Sequence, residues 1–209
     1  MADKKVKTLP DKITVAGIPF EIVYNDEIME ASNYVSLSDY TQQQITVRST
    51  LPFPRQLSYV IGEVGRRLLD ASGVSERRNN AISPTFGTVL YRFIRENNFD
   101  WLYKGLEASG PPSTVFINGM PYTVTFDKDS YLDAKDLLGE VDYTQLTIRL
   151  HGDLKNEGKA VVFLHEVAHA ILYEARCLKV HNDESIIEPL SYLLYQLFKQ
   201  NDFSFAYNG

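Results

Sequence analysis

The chain has 209 residues, 44% of them hydrophobic and 23% charged, with a net charge of −6. This is the balance of an ordinary globular protein of one or two domains, and its sign argues against a nucleic-acid-binding surface. No apolar run is long enough to span a bilayer, and the single cysteine, Cys177, excludes an intramolecular disulfide framework and fits a reducing, cytoplasmic setting.

Residues 1–12 are polar and charged and read as a loose lead-in. The basic stretch Lys4-Lys5-Val6-Lys7 has no apolar run behind it, so no secretory leader is expected. Residues 13–24 carry alternating β-branched and aromatic residues around Gly17 and predict two short strands. Residues 25–43 show no period and are expected to be irregular. Residues 44–49 predict a third strand with Ile45 and Val47 on one face. Residues 55–71 predict an amphipathic helix, bounded by Pro52 and Pro54 before it and Gly73 after it. Ser83-Pro84 predicts the start of another helix, with Ser as N-cap and Pro at the first helical position, running to about Asn97.

The pattern is then written a second time. Residues 115–126 echo residues 13–24 at an offset of 102. Asp39-Tyr40-Thr41-Gln42 returns as Asp142-Tyr143-Thr144-Gln145, and Val60-Ile61-Gly62-Glu63-Val64 returns as Phe163-Leu164-His165-Glu166-Val167. Asn97-Asn98-Phe99 returns as Asn201-Asp202-Phe203. The economical reading is an α+β fold of two tandem units, 13–106 and 114–209, each a three-stranded sheet with two helices. A Gly/Pro/Ser-rich linker at 107–113 joins them. Each unit alone has a limited core, so the two are expected to pack together.

Chemistry concentrates in the second unit, at Leu164-His165-Glu166-Val167-Ala168-His169. Two histidines four apart on a helix stand one turn above each other and reach one metal ion. Glu166, beside His165, is placed to act on water rather than to ligate. That is the logic of zinc-assisted hydrolysis, in which the metal lowers the pKa of water to about 7 and a carboxylate takes its proton. Leu164, Val167, Ala168, Ile171 and Leu172 give the surrounding helix its apolar stripe. The first unit has Gly62 and Arg66 in place of the two histidines but keeps Glu63. Arginine cannot ligate zinc, so this copy is expected to have lost its metal, with Arg66 in ion pairs to Glu63 or Asp70.

A catalytic zinc needs a third protein ligand. The candidates are His181, Asp183, Glu184 and Glu188, of which Glu184 and Glu188 lie four apart. One is suited to ligate and the other to accept a ligand histidine's outward N–H. Pro189 keeps both assignments open. If the last helix starts at Asp183, the proline falls beyond its first turn and should kink it; if Pro189 is in the first turn, Glu184 lies on the entering loop and Glu188 becomes the ligand. The oxyanion that develops during hydrolysis wants a donor, for which Tyr131, Tyr143, Tyr173 and His181 are available. The strand predicted at 145–150 precedes the active helix and, as a sheet edge, would hold an extended peptide.

The run Leu164-His165-Glu166-Val167-Ala168-His169-Ala170-Ile171-Leu172, followed by Glu184-Ser185-Ile186-Ile187-Glu188 and Leu193-Leu194-Tyr195-Gln196, resembles the small zincin domains of bacteriophages and mobile elements. These are similar to the ImmA/IrrE metallopeptidases and, more remotely, to thermolysin-like gluzincins. The resemblance covers residues 114–203 and implies zinc held by His165, His169 and Glu184, with Glu166 as general base and Glu188 supporting a histidine. Of the available donors, Tyr143 and His181 are the candidates for the oxyanion, with no geometry in the sequence to choose between them. The resemblance implies a protein substrate in the bacterial cytoplasm, such as a regulatory or defence protein. The rival expectation is a non-catalytic binding protein on the same scaffold, such as a phage inhibitor of a host system. Neither reading calls for nucleic acid or membrane as partner.

Overall fold

Two residues fix the start of each half. Ala16-Gly17 and Asn118-Gly119 all have positive φ, at 52°, 76°, 54° and 81°, the backbone of a tight two-residue hairpin whose twist matches its strands. In the computed structural model, which describes residues 8–105, 110–127 and 131–207, these turns join β1 (Lys12–Val15) to β2 (Ile18–Tyr24) and β5 (Thr114–Ile117) to β6 (Met120–Asp127). The start of the lead-in and residues 107–109 of the linker lie outside the described residues.

Each hairpin belongs to a four-stranded sheet, one strand more than the period of the sequence predicts. The sheet orders are β1-β2-β4-β3 and β5-β6-β8-β7, with β3 at Ser36–Asp39, β4 at Gln44–Val47, β7 at Gly139–Asp142 and β8 at Thr147–His151. In both, the inner pair is parallel and the outer pairs are antiparallel. Residues 25–43, expected to be irregular, hold β3 and the short helix α1 (Asp26–Ala31), which Asn25 caps by accepting the N–H of Ile28. β3 lacks apolar alternation because Ser36 and Ser38 donate to Glu63 rather than pack in the core. β8 lies between β6 and β7, so the free edge beside the second unit's helices is β7 and not the strand predicted at 145–150. The echoed Asp-Tyr-Thr-Gln has a local cause: Asp39 accepts the N–H groups of Thr41 and Gln42, and Asp142 those of Thr144 and Gln145.

Two long helices follow each sheet: α2 (Phe53–Ala71) and α3 (Glu76–Glu96), then, after the short α4 (Asp100–Tyr103), α5 (Asn156–Glu174) and α6 (Glu184–Gln200). Ser83-Pro84 does not start α3. It lies inside the helix, which begins two turns earlier, where the buried Asn79 donates to the Arg66 carbonyl. Pro189 likewise falls inside α6, which begins at Glu184 behind the N-cap Asp183. Among the described residues the architecture is therefore α+β, with two four-stranded sheets and six α-helices.

The apolar faces of both sheets and of the long helices form one buried cluster that runs through both halves. Phe198 of α6 stacks on Phe99, with centroids 3.9 Å apart, and meets Phe93 of α3 edge-on. Two asparagines tie the halves together reciprocally. Asn97, after α3, accepts the Phe116 N–H and donates to the Phe116 carbonyl on β5. Asn201, after α6, does the same to Thr14 on β1. Each half thus ends by holding the other half's first strand.

Candidate metal centre

α5 and α6 bring three predicted residues together. On α5 the four-residue spacing stacks the two imidazoles, with His165 Nε2 3.2 Å from His169 Nε2. Glu184, the first residue of α6, lies with Oε2 3.3 Å from His165 Nε2 and Oε1 3.3 Å from His169 Nε2. A tetrahedral cation with bonds of about 2.0–2.1 Å keeps its donor atoms roughly 3.3 Å apart. The two imidazole nitrogens have that separation, and the Glu184 carboxylate turns a different oxygen to each; the three ligand groups lie within 4.8 Å of one another, and their donor set suits zinc. The position of Pro189 is consistent with this. The helix starts with Glu184 at its first position, and Glu188, one turn on, lines the adjoining cavity without joining the three-residue cluster.

Second contacts set the ring tautomers. His169 is nearly buried, and its Nδ1–H donates to the His181 backbone carbonyl at 2.5 Å, leaving the Nε2 lone pair facing Glu184. His165 is held below its ordinary pKa, first by burial and then by His169, so it is neutral and able to ligate at pH 7. Glu184 is the exposed member, with 64% of its side chain open to solvent.

Glu166 occupies a different environment from these three. It is only 6% exposed and packs against Gly139 of β7, with Val141 the next residue but one on that strand. Burial, then the nearby carboxylates of Glu184 and Glu140, push its pKa up to about 8. Its seat depends on a glycine: a Cβ on Gly139 would lie 2.7 Å from Glu166 Oε1 and 2.7 Å from Val162 Cγ1. Gly139 carries no signature in the sequence beyond being an isolated glycine in a strand, which marks a close approach.

A cavity of about 280 Å³ opens beside the cluster, walled by Leu137, Leu138 and Val162 on one side and by Glu188 and Tyr192 on the other. Tyr192 was missed among the candidate donors, yet it stands eight residues after Glu184 and four after Glu188, on the same helical face. Tyr143 and His181 are close by but outside the cavity wall. Tyr143 stacks on Tyr173 with centroids 4.0 Å apart, and its phenol is pushed well above its ordinary pKa by burial and by Glu166. The His181 ring donates from Nδ1 to the Leu178 carbonyl, so this residue serves the site through its backbone. Tyr131 lies away from the cavity, its hydroxyl accepting from Lys135.

Among the described residues, the equivalent place in the first half has no such cluster. Arg66, at the position of His169, donates to Asn80, at the position of Glu184. This corrects the expected ion pair with Glu63 or Asp70; Asp70 pairs with Arg67 instead. Glu63 accepts from Ser36 at 2.9 Å and Ser38 at 2.7 Å. Gly87 lets α3 approach Gly62, which stands at the position of His165, so closely that a Cβ on Gly87 would lie 2.9 Å from the Gly62 Cα. No family model matches the chain, and no curated protein or solved structure matches it significantly.

Proposed function

We propose that the chain is a single-site zinc metallopeptidase of the zincin type, similar to the ImmA/IrrE enzymes, acting on a protein substrate in a bacterial cytoplasm. The observation that supports this most is the convergence of His165, His169 and Glu184 at 3.2–3.3 Å beside a buried, glycine-seated Glu166. Zinc held there supplies Lewis acidity at a substrate carbonyl and makes water acidic enough to attack at neutral pH. Glu166 takes the proton of that attacking water and returns it to the leaving amine. A dication held there would offset the Glu184 charge, which after burial is the next cause of the raised Glu166 pKa, and so would favour the carboxylate form that accepts the proton. An extended substrate adds to the free edge β7 by backbone hydrogen bonds. It places an apolar side chain against Leu137 and Leu138, which are 40% and 57% exposed. The Tyr192 hydroxyl makes no hydrogen bond among the described residues and is the donor nearest to hand for the oxyanion.

The test is paired. Metal analysis should find one zinc per chain, lost in His165→Ala. Hydrolysis of unfolded protein substrates should disappear in Glu166→Gln while that zinc stays bound. Two zinc per chain, or undiminished hydrolysis in Glu166→Gln, would overturn the proposal. A partner that stays intact and binds Glu166→Gln as well as wild type would instead favour the rival, a binding protein on the same scaffold. What favours that rival is the first half, where the scaffold persists around Arg66–Asn80 and Glu63 without a ligand set.

A further inference from the structure

The first half carries a second cavity that the proposed reaction does not use. It measures about 780 Å³ and lies between the start of α2, the face of α3 and β5. Arg55, Arg92 and Arg95 line it against one carboxylate, Glu96. In a chain of net charge −6 this is a local excess of positive charge. Arg92 is already engaged: it pairs with Glu96 at 3.5 Å and donates to the Asn118 side-chain oxygen at 2.8 Å, while Glu96 also accepts the Gly119 N–H. Arg55 and Arg95 have no carboxylate partner among the described residues. Each lies over a tyrosine ring of its own helix, Arg55 over Tyr59 and Arg95 over Tyr91, with one N–H on the phenol oxygen. Their remaining N–H groups are free for a ligand. Phe116, also on the wall, is 41% exposed and offers an aromatic surface.

Comparison of the halves shows that most of this charge is not part of the shared scaffold. Tyr91 and Arg95 are matched by Tyr195 and Lys199, which make the same phenol contact. Arg55 and Arg92 fall opposite Gly158 and Gln196, which carry no charge. Two of the three charges, Arg55 and Arg92, are therefore particular to the first half, while Arg95 has a cationic counterpart in Lys199.

We propose that this cavity binds a nucleotide-class ligand: a planar ring carrying two or three linked phosphates. Guanidinium forks match phosphate oxygens two at a time, and the forks of Arg55 and Arg95, with the Arg92 charge beside them, suit a polyphosphate better than a single anion. The volume is within the range of small-molecule sites, roughly 300–1,000 Å³. Phe116 provides the face on which the ring stacks. The site is independent of the metal centre, so its fate does not depend on the peptidase reading.

Calorimetric titration with ATP, inorganic triphosphate and adenosine tests this on wild type and on His165→Ala, which removes any contribution from chelation at the metal centre. ATP should bind saturably at one site and equally in both proteins, with triphosphate weaker and adenosine weakest. Arg55→Gln/Arg95→Gln should weaken ATP by at least about tenfold, while Arg77→Gln, on an exposed turn of α3 away from the cavity, should not. Phe116→Ser should weaken ATP but leave triphosphate unchanged, which keeps the test decisive if the double variant folds poorly. Absence of saturable binding of ATP or triphosphate up to about 1 mM, or binding indifferent to the arginines, would overturn the proposal.

Discussion

The two halves hold the same carboxylate in opposite ways. Glu63 is tied by two hydroxyls, Ser36 and Ser38, from the edge strand β3. Glu166, at the same place on α5, faces Gly139 and the Val141 backbone on β7, and is left buried with its pKa raised to about 8. One turn along, Arg66–Asn80 in the first half stands where His169–Glu184 stands in the second. The sheets, the Asp-capped turns and the asparagine clamps are common to both. A site with a candidate ligand set and one without it thus differ by a few side chains on a shared frame, and the edge strand differs as much as the helix motif does. Cavities of similar size remain in both halves, about 280 Å³ and 320 Å³. Among the described residues the first half therefore lacks donor atoms rather than space.

The sharpest way to break this comparison is to neutralise each carboxylate in turn. Glu166→Gln should lower peptide hydrolysis by about 10²–10⁴-fold, the usual contribution of a general base. Glu63→Gln should leave turnover and zinc content unchanged. Steady-state kinetics on both variants checks it, and a comparable loss from Glu63→Gln would mean that the halves share the chemistry.

A smaller but still large effect concerns stability without metal. The Glu166 carboxyl titrates near 8 in the folded protein against about 4.3 when unfolded. Because the folded pKa is the higher one, the folded state holds more protons between these values, and stability falls as pH rises through that window. At about 1.4 kcal/mol per unit of separation, metal-free wild type should lose a few kcal/mol relative to Glu166→Gln between roughly pH 4 and 8. Denaturant titrations across that range measure the difference. Parallel curves for the two proteins would place Glu166 in a more polar setting than β7 provides.

Next in size is the seat itself. Gly139→Ala introduces a Cβ into space already filled by Glu166 and Val162. Overpacking of this kind costs about 1–3 kcal/mol, and a displaced base costs up to about a hundredfold in turnover. Zinc content should stay at one per chain, which separates a misplaced Glu166 from a lost metal. Retention of full activity would show that the carboxylate has room to move aside.

The legible and illegible parts of the molecule divide along physical lines. The hairpins around Gly17 and Gly119 could be read because few residues tolerate positive φ. The helix carrying His165, Glu166 and His169 could be read because a helix fixes the relation of residues four apart. β3 and β7 could not, since Ser36-Leu37-Ser38-Asp39 and Gly139-Glu140-Val141-Asp142 have no clean apolar alternation, and their pairing partners alone make them strands. Ser83-Pro84 has the local chemistry of a helix start but was overridden by the tertiary hold on Asn79 and Asn80. Gly139, Tyr192 and the His181 carbonyl belong to the site only through the crossing of α5, α6 and β7, which spacing within one element does not encode.

The smallest effect tests the frame on which the comparison rests. Asn97 makes three hydrogen bonds through its amide, to Phe93 on its own helix and to both backbone groups of Phe116. Asn201 makes the matching three, to Leu197 and to both backbone groups of Thr14. Replacing either by alanine strands a backbone N–H and a carbonyl at the junction of the halves, which costs about 1–3 kcal/mol where water does not reach them. Asn97 is only 7% exposed, whereas Asn201 is half-buried, so Asn97→Ala should be the more damaging of a similar pair. Thermal melts should show both variants lowered by a few degrees, with zinc content untouched. A much larger loss from one alone would mean that one half acts as a template for the other, and that the reciprocal clamp is not shared equally between them.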